Sequence, residues 1–256
     1  MKRRVFLSSL TLAGAAPART SRGADKKAPR CYAPGELVDR ATFVLDSEGR
    51  EVPLLDLVRK DTRLLYLLIL GGAHKEKDSG LWCGDTRSDL AIHAAMQRRL
   101  AARGVRFVVV ATPPVYTEAR NGYEAGVFLA AAASSDAHTA AVAGFVERTE
   151  ALRASGALPF AEIFYDPRFR LLDNQSRYPH VAAYGAVHAW QGRLKACGDA
   201  QRHGTPTLWL LGPDGRVLRE PFYGNVYEPP GEKIRYREED VLGAIEAILS
   251  GGKEAR

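Results

Sequence analysis

Cysteine is scarce in this chain, and its spacing excludes several chemistries at once. Three cysteines, Cys31, Cys83 and Cys197, stand among 256 residues. No two of them form a Cys-x-x-Cys or Cys-x-x-x-Cys pair, so neither a local dithiol nor a zinc knuckle is written here. The six histidines, at 74, 93, 138, 180, 188 and 203, share no ligand spacing. No metal and no cofactor is therefore expected. Uninterrupted apolar runs are short, and none reaches the roughly 18 residues of a membrane span. Basic clusters are missing too. The net charge of +6 owes half its value to Lys2, Arg3 and Arg4, and no Lys/Arg block with interleaved aromatics follows. Nucleic acid is not an expected partner. Repeats of 20–50 residues and Pro/Ser-rich linkers are absent between 35 and 250, which argues for a single domain there.

What is present centres on residues 64–87. Leu64 to Leu70 is an unbroken apolar run of strand length, bounded by Asp61-Thr62-Arg63 and Gly71-Gly72. A strand apolar on both faces belongs in the middle of a sheet covered by helices. Beyond a polar loop, Trp82-Cys83-Gly84 leads into a segment that reads as helix from about Thr86 to Arg103. A thiol at a helix start meets unpaired N–H groups and the positive end of the dipole, which favours thiolate. Cys83 is thus the candidate nucleophile, expected to be accessible, with a pKa below the ~8.5 of free cysteine. Lys75, Lys77 and His74 in the preceding loop are candidate helpers, and Asp85 opposes them by like charge.

The rest of the chain builds around that stretch. Residues 1–24 read as a leader, with Met1-Lys2-Arg3-Arg4 as basic region, Val5 to Ala16 as apolar segment and Ala16-Pro17-Ala18 as cleavage candidate. Residues 25–34 are a polar lead-in. Thr42–Leu45 and Glu51–Leu54 around Asp46-Ser47-Glu48-Gly49 suggest a hairpin, followed by one helical turn at 54–58. Ile92, Ala95, Met96 and Leu100 predict the buried stripe of the helix after Cys83. Val105 to Ala111 is a second buried strand, and strand–helix–strand with both strands buried is a parallel unit. An alanine-rich helix over 123–133 and a firmer one over 136–154 follow; Ala140, Ala143, Gly144 and Phe145 lie near one face of the second, with Leu152 further on. Ile163–Tyr165 is a strand, and Asn174 to Ala186 includes a short helix. Thr207–Leu211, Gly212-Pro213-Asp214-Gly215 and Val217–Leu218 form an antiparallel hairpin. Val241, Leu242, Ile245, Ile248 and Leu249 make the apolar side of a closing helix over 239–249.

Trp82-Cys83-Gly84 resembles the Trp-Cys-Gly-Pro-Cys site of the thioredoxin superfamily, with Asp85 in place of the proline and Thr86 in place of the second cysteine. Gly204-Thr205-Pro206-Thr207, before a strand and an Asp-x-x-Gly-type turn, resembles that superfamily's second signature. The hairpin before the first core strand, the Leu158–Asp166 step and Tyr184-Gly185 are similar to the redoxin branch, the alkyl hydroperoxide reductase and thiol-specific antioxidant group. Arg3-Arg4-Val5-Phe6-Leu7 resembles the twin-arginine export signal. The resemblance covers residues 35–250. It implies an α/β thioredoxin-like fold, with a central mixed sheet flanked by helices and a helical insertion at about 113–158. It also implies a cis peptide before Pro206 and apposition of Pro206 to Cys83, with Trp82, Thr205 and Pro206 positioning substrate.

The implied activity is that of an exported, periplasmic or extracellular, bacterial thiol oxidoreductase. Its single active-site cysteine would act on disulfides or peroxides and draw on an external thiol or thioredoxin-like reductant. Thr86 cannot resolve a mixed disulfide, so Cys197 or Cys31 is the candidate resolving thiol. The peroxiredoxin pattern Pro-x-x-x-Thr-x-x-Cys is broken by Gly80 at the threonine position. The alternative is a non-catalytic thioredoxin-fold binding protein that uses the Pro206 face and the insertion to hold a partner. Copper delivery of the Sco type is a weaker option, because its Cys-x-x-x-Cys pair is missing.

Overall fold

Eight consecutive buried residues, Leu64–Gly71, form the strand β3 on which the architecture is hung. The computed structural model describes residues 32–74, 80–112, 135–166, 194, 205–224, 226–228, 232–234 and 236–251. Before β3 come β1 (Phe43–Leu45), β2 (Glu51–Pro53) and a single 3-10 turn at Leu54–Leu57. After it come helix α1 (Gly84–Leu100), β4 (Val105–Thr112), helix α2 (Ser135–Ala154), β5 (Phe164–Tyr165) and β6 (Thr207–Leu211). The chain closes with β7 (Phe222–Tyr223), β8 (Val226–Glu228), β9 (Glu232–Ile234) and helix α3 (Glu238–Leu249).

Among the described residues seven strands share one sheet in the order β2-β1-β5-β4-β3-β6-β7, and β8 and β9 make a separate two-stranded ribbon. β3 and β4 run parallel from Leu64↔Val105 to Gly71↔Thr112. On its other edge β3 pairs antiparallel with β6, from Leu65↔Leu211 to Ile69↔Thr207. Alternation along the strands divides the core in two. Leu64, Tyr66, Leu68 and Leu70 pack with Met96 and Leu100 of α1, Phe145 of α2, and Val241, Ile245 and Leu249 of α3. Leu65, Leu67 and Ile69 pack on the opposite face with Tyr32, Val38, Leu54, Leu194 and Val217. Each such Leu or Ile contributes about 1.5–3 kcal/mol by leaving water, which is why this strand carries no polar side chain but the Tyr66 hydroxyl. Parallel central strands joined by α1, an antiparallel β6–β7 edge and a closing helix make this an α/β protein of thioredoxin-like fold.

Several expectations need correction. Val217–Leu218 is not a strand. An isolated bridge joins Leu211 to Val217, with Gly212 N donating to Arg216 O at 2.7 Å and Leu218 N to Leu210 O at 3.0 Å; the pairing is too short for a strand, and the chain meets β6 again as β7, at Thr207 and Leu208. The buried stripe of α1 is Thr86, Asp89, His93, Met96 and Leu100, while Ile92 and Ala95 are half-buried. The buried side chains of the first half of that helix, Thr86 and Asp89, face the end of the sheet, while Met96 and Leu100 enter the apolar core and Leu90 and Ile92 pack against its rim. On α2, Phe145 and Thr149 point inward and Ala143 is exposed. The ribbon β8–β9 is an element that none of the expectations above covers. The leader at 1–24, the lead-in up to residue 31, and the helices expected at 123–133 and 174–186 lie outside the described residues.

His93 shows how the polar half of α1 is accommodated. Its Nδ1 lies 2.7 Å from the Tyr66 hydroxyl and its Nε2 2.8 Å from the Tyr236 hydroxyl. A neutral imidazole donates from one nitrogen and accepts at the other, so it satisfies both tyrosines; an imidazolium would have to donate to both. Loss of hydration drives its pKa down to about 3. In the unfolded chain the same ring titrates near its ordinary value of about 6.5. Acid therefore protonates the unfolded state first. The stability contributed by neutral His93 is complete above about pH 6.5 and is lost progressively as pH falls toward 3. Urea unfolding across this window should show stability rising with pH, and His93→Gln should flatten that component of the slope. An unchanged slope in the variant would show that the acid sensitivity comes from other groups.

Candidate active site

The register of β3 against its two neighbours determines where the two signatures meet. β3 ends at Gly71, and its antiparallel partner β6 begins at Thr207, opposite Ile69. The residues just before β6 therefore stand at the same edge of the sheet as the residues that follow β3. A short ribbon then carries the chain from β3 to the helix. His74 N donates to Gly80 O at 2.8 Å, Ala73 bridges Leu81, and Trp82 N donates to Gly72 O at 3.1 Å. The outgoing arm ends in Trp82 and Cys83, and Cys83 is the N-cap of α1 with extended backbone at φ −94° and ψ 118°.

Cys83 Sγ lies 3.0 Å from Thr205 O across 122 residues of sequence, with the thiol donating. Thr86 N donates to the same sulfur at 3.4 Å, as expected of a cap. The Thr205–Pro206 peptide is cis. Trp82 lies across the ends of β3 and β4, its Nε1 donating to Thr112 O at 2.8 Å. Thr86 is buried, and its Oγ1 accepts from Gly71 N at 3.0 Å, tying the first turn of α1 to the end of β3. Asp85 is half-buried in that first turn, where a carboxylate suits the helix dipole.

One expectation about the cysteine is corrected. The thiol is not open to solvent: Cys83 is 6% exposed. The reason lies in Leu81-Trp82, both buried, which fold the chain back over Gly71 rather than out into water. A Cβ on Gly71 would lie 2.5 Å from the Cys83 Cβ and 2.9 Å from Trp82 Cε2, so this approach needs glycine. His74 contributes its backbone to the ribbon. Lys75, Lys77, Cys31 and Cys197 lie outside the described residues. Among the described residues Cys83 is the free cysteine, and no group of three or more His, Cys, Asp or Glu side chains is disposed to hold a metal ion.

Two further residues belong to this neighbourhood and were not singled out in the sequence. Gly224 N donates to Pro206 O at 2.9 Å. A Cβ on Gly224 would meet Pro206 Cδ at 2.5 Å and Asp89 Oδ2 at 2.6 Å, so the Asp89 carboxylate, 3% exposed, and the Pro206 ring flank a single point. A carboxylate at a stripe position of α1, three residues after Thr86 and four before His93, was the available signal for Asp89. Gly224 offers no local signal, since its need for glycine arises from segments distant in the chain.

Gly224→Ala should lower stability by about 1–3 kcal/mol, the usual cost of overpacking. Gly243, inside α3 with open space where a Cβ would go, is the control. Gly243→Ala should raise stability by up to about 1 kcal/mol through helix propensity. Opposite shifts in the urea midpoint are expected; a harmless Gly224→Ala would mean the Pro206–Asp89 seam has room to spare.

No family model and no curated protein matches the chain. Among solved structures it is similar to a hypothetical protein from Sinorhizobium meliloti 1021, at 16% identity over 87% of each chain with a TM-score of 0.48. It is also similar to a thioredoxin-family thiol:disulfide interchange protein from Chlorobium tepidum TLS, at 12% identity over 88% of this chain and 99% of that one, TM-score 0.40. A thiol:disulfide interchange protein from Bacteroides sp. is similar at 13% identity over 87% and 93%, TM-score 0.41. The fold assignment itself comes from the strand order and register described above.

Proposed function

We propose that this protein is an exported thiol oxidoreductase in which Cys83 is the single nucleophile, acting on disulfide or peroxide substrates outside the bacterial cytoplasm. The observation that carries the reading is the approach of Cys83 Sγ to Thr205 O, 3.0 Å apart at a helix N-terminus beside Pro206. A disulfide entering between them would bring one sulfur against the thiol, with Trp82, Thr205 and Pro206 as the walls that orient it. The Cys83 thiolate then attacks that sulfur. An S–S bond to Cys83 forms, the substrate S–S bond breaks, and the departing thiolate takes up a proton. A second, external thiolate attacks the mixed disulfide and releases Cys83 again as thiolate. With a hydroperoxide, Cys83 would take one oxygen as sulfenic acid and release an alcohol. An external thiol would then condense with it, losing water.

Thr86 supports the monothiol part of the reading. Its hydroxyl is committed to Gly71 N and offers no sulfur to attack a mixed disulfide. Cys197 or Cys31 remains the internal candidate for that step, and Lys75 and Lys77 remain candidates for assisting the thiolate. The export part rests on the leader sequence.

The burial of Cys83, at 6% exposure, favours a second reading, a thioredoxin-fold binding protein whose thiol is inert. Intact-mass analysis after treatment with a small disulfide separates the two. The oxidoreductase reading predicts a mixed disulfide on the native wild type, its loss in Cys83→Ser, and persistence until a second thiol, whether Cys197, Cys31 or an external one, attacks it. Thr86→Cys, one helical turn away, should shorten the adduct's lifetime at least about tenfold by attacking it from within, as dithiol sites do. A native chain that takes up no adduct at Cys83 decides for the binding reading.

A further inference from the structure

The insertion between β4 and β5 is the segment that the binding-protein alternative uses to hold a partner. Its contacts point to a more specific role. Three residues of α2 touch three consecutive residues of the ribbon arm that leaves β3. Phe145 lies flush on Gly72, filling the space a side chain would take there, with the Ala111 Cβ beside it. Thr149 Oγ1, fully buried, accepts from Ala73 N at 3.2 Å. Arg148 Nε donates to His74 O at 2.8 Å. The inner arm 72–74 in turn holds the outer arm 80–82 by backbone bonds, and the outer arm ends at Cys83.

The helix has its own anchor on the sheet. Phe145 meets Tyr165 edge to face at 6.1 Å, and the Tyr165 hydroxyl donates to Glu150 Oε1 at 2.7 Å. Sheet, α2, inner arm, outer arm and cysteine thus form one continuous chain of contacts. Ala73 N has its acceptor on α2, so losing Thr149 Oγ1 would leave a backbone donor without it in a buried place.

We infer that α2 is a positioning helix for Cys83: through Phe145, Arg148 and Thr149 it holds the ribbon that sets the sulfur against Thr205. This rests on the reading of Cys83 as nucleophile, and it makes the insertion part of the site. None of the three α2 residues is a catalytic residue, because each acts through the ribbon backbone. Misplacing a reacting atom by about 1 Å can slow reaction up to about a hundredfold, so a clamp of this kind has a kinetic signature of its own.

The test uses the whole chain in a Cys31→Ser, Cys197→Ser background, with two probes of Cys83 followed by mass spectrometry. Iodoacetamide requires only that the sulfur be reachable, whereas a small aromatic disulfide requires the Thr205–Pro206 face as well. Thr149→Val and Arg148→Gln should speed iodoacetamide several-fold by releasing the buried thiol. The same variants should slow the disulfide at least about tenfold, at temperatures where circular dichroism shows them folded. Thr149→Ser keeps the acceptor oxygen and should restore both rates. Unchanged rates with a lowered Tm, or both rates moving in the same direction, would overturn the inference and leave α2 a stabilising helix. If the wild type does not react with the disulfide, the proposed activity fails, and the iodoacetamide arm alone decides the clamp. A rise in Thr149→Val with rescue in Thr149→Ser supports the clamp, and no change refutes it.

Discussion

The antiparallel pairing of β3 with β6 is the constraint from which the site follows. Because the two strands run in opposite directions, the end of one and the beginning of the other must lie at the same edge of the sheet. Ile69 opposite Thr207 sets that edge. Cys83 comes after the end of β3 and Thr205 just before the start of β6, so 122 residues of separation close to a 3.0 Å contact. A one-residue slip would move Trp209 off the face where its indole is buried and its Nε1 donates to Leu194 O at 2.7 Å, so that side chain holds the register. The packing of the core thereby sets where Cys83 and Thr205 meet.

Close approach at the site is made possible by what side chains are missing. Gly71 lets Cys83 and Trp82 fold over the end of β3, and Gly224 lets the Pro206 ring and the Asp89 carboxylate share a seam. Hydrogen bonds then lock what the glycines permit: Thr86 to Gly71, Trp82 to Thr112, and Gly224 to Pro206. The result is a thiol held in place on several sides and shielded from water. That combination suits a nucleophile meant for a substrate that docks, and it protects the sulfur from adventitious reaction.

Much of this was legible in the residues. The apolar runs 64–70 and 105–111 read as central strands, and a single helix between them implies that they run parallel, adjacent or nearly so, as β3 and β4 do. The resemblance of Trp-Cys-Gly and Gly-Thr-Pro-Thr to the two thioredoxin signatures led to the expectation that the residues before β6 stand near Cys83, and Thr205 O lies 3.0 Å from its sulfur. What escaped was set by tertiary context. Apolar periodicity put Ile92 and Ala95 at the centre of the α1 stripe, since it has no means of knowing that half the helix faces a polar site. The burial of Cys83 depends on Trp82 finding Thr112, and the need for glycine at 224 depends on Pro206 and Asp89. Neither is a local property. Val217–Leu218 has strand-like residues, yet it meets β6 only at a bridge opposite Leu211, while Phe222–Tyr223 pairs with the other end of β6 at Thr207 and Leu208.

The account stands on the claim that the fold makes Cys83 reactive toward disulfides despite burying it. The direct measurement is the rate of its reaction with a small disulfide in the native chain and in the urea-unfolded chain, at one pH and in the Cys31→Ser, Cys197→Ser background. Burial alone would make the native rate the slower one. The account predicts the reverse, a native rate faster by about tenfold or more, because the helix N-terminus and the Thr205–Pro206 face both act only in the folded state. A native Cys83 that reacts more slowly than the unfolded one would contradict it.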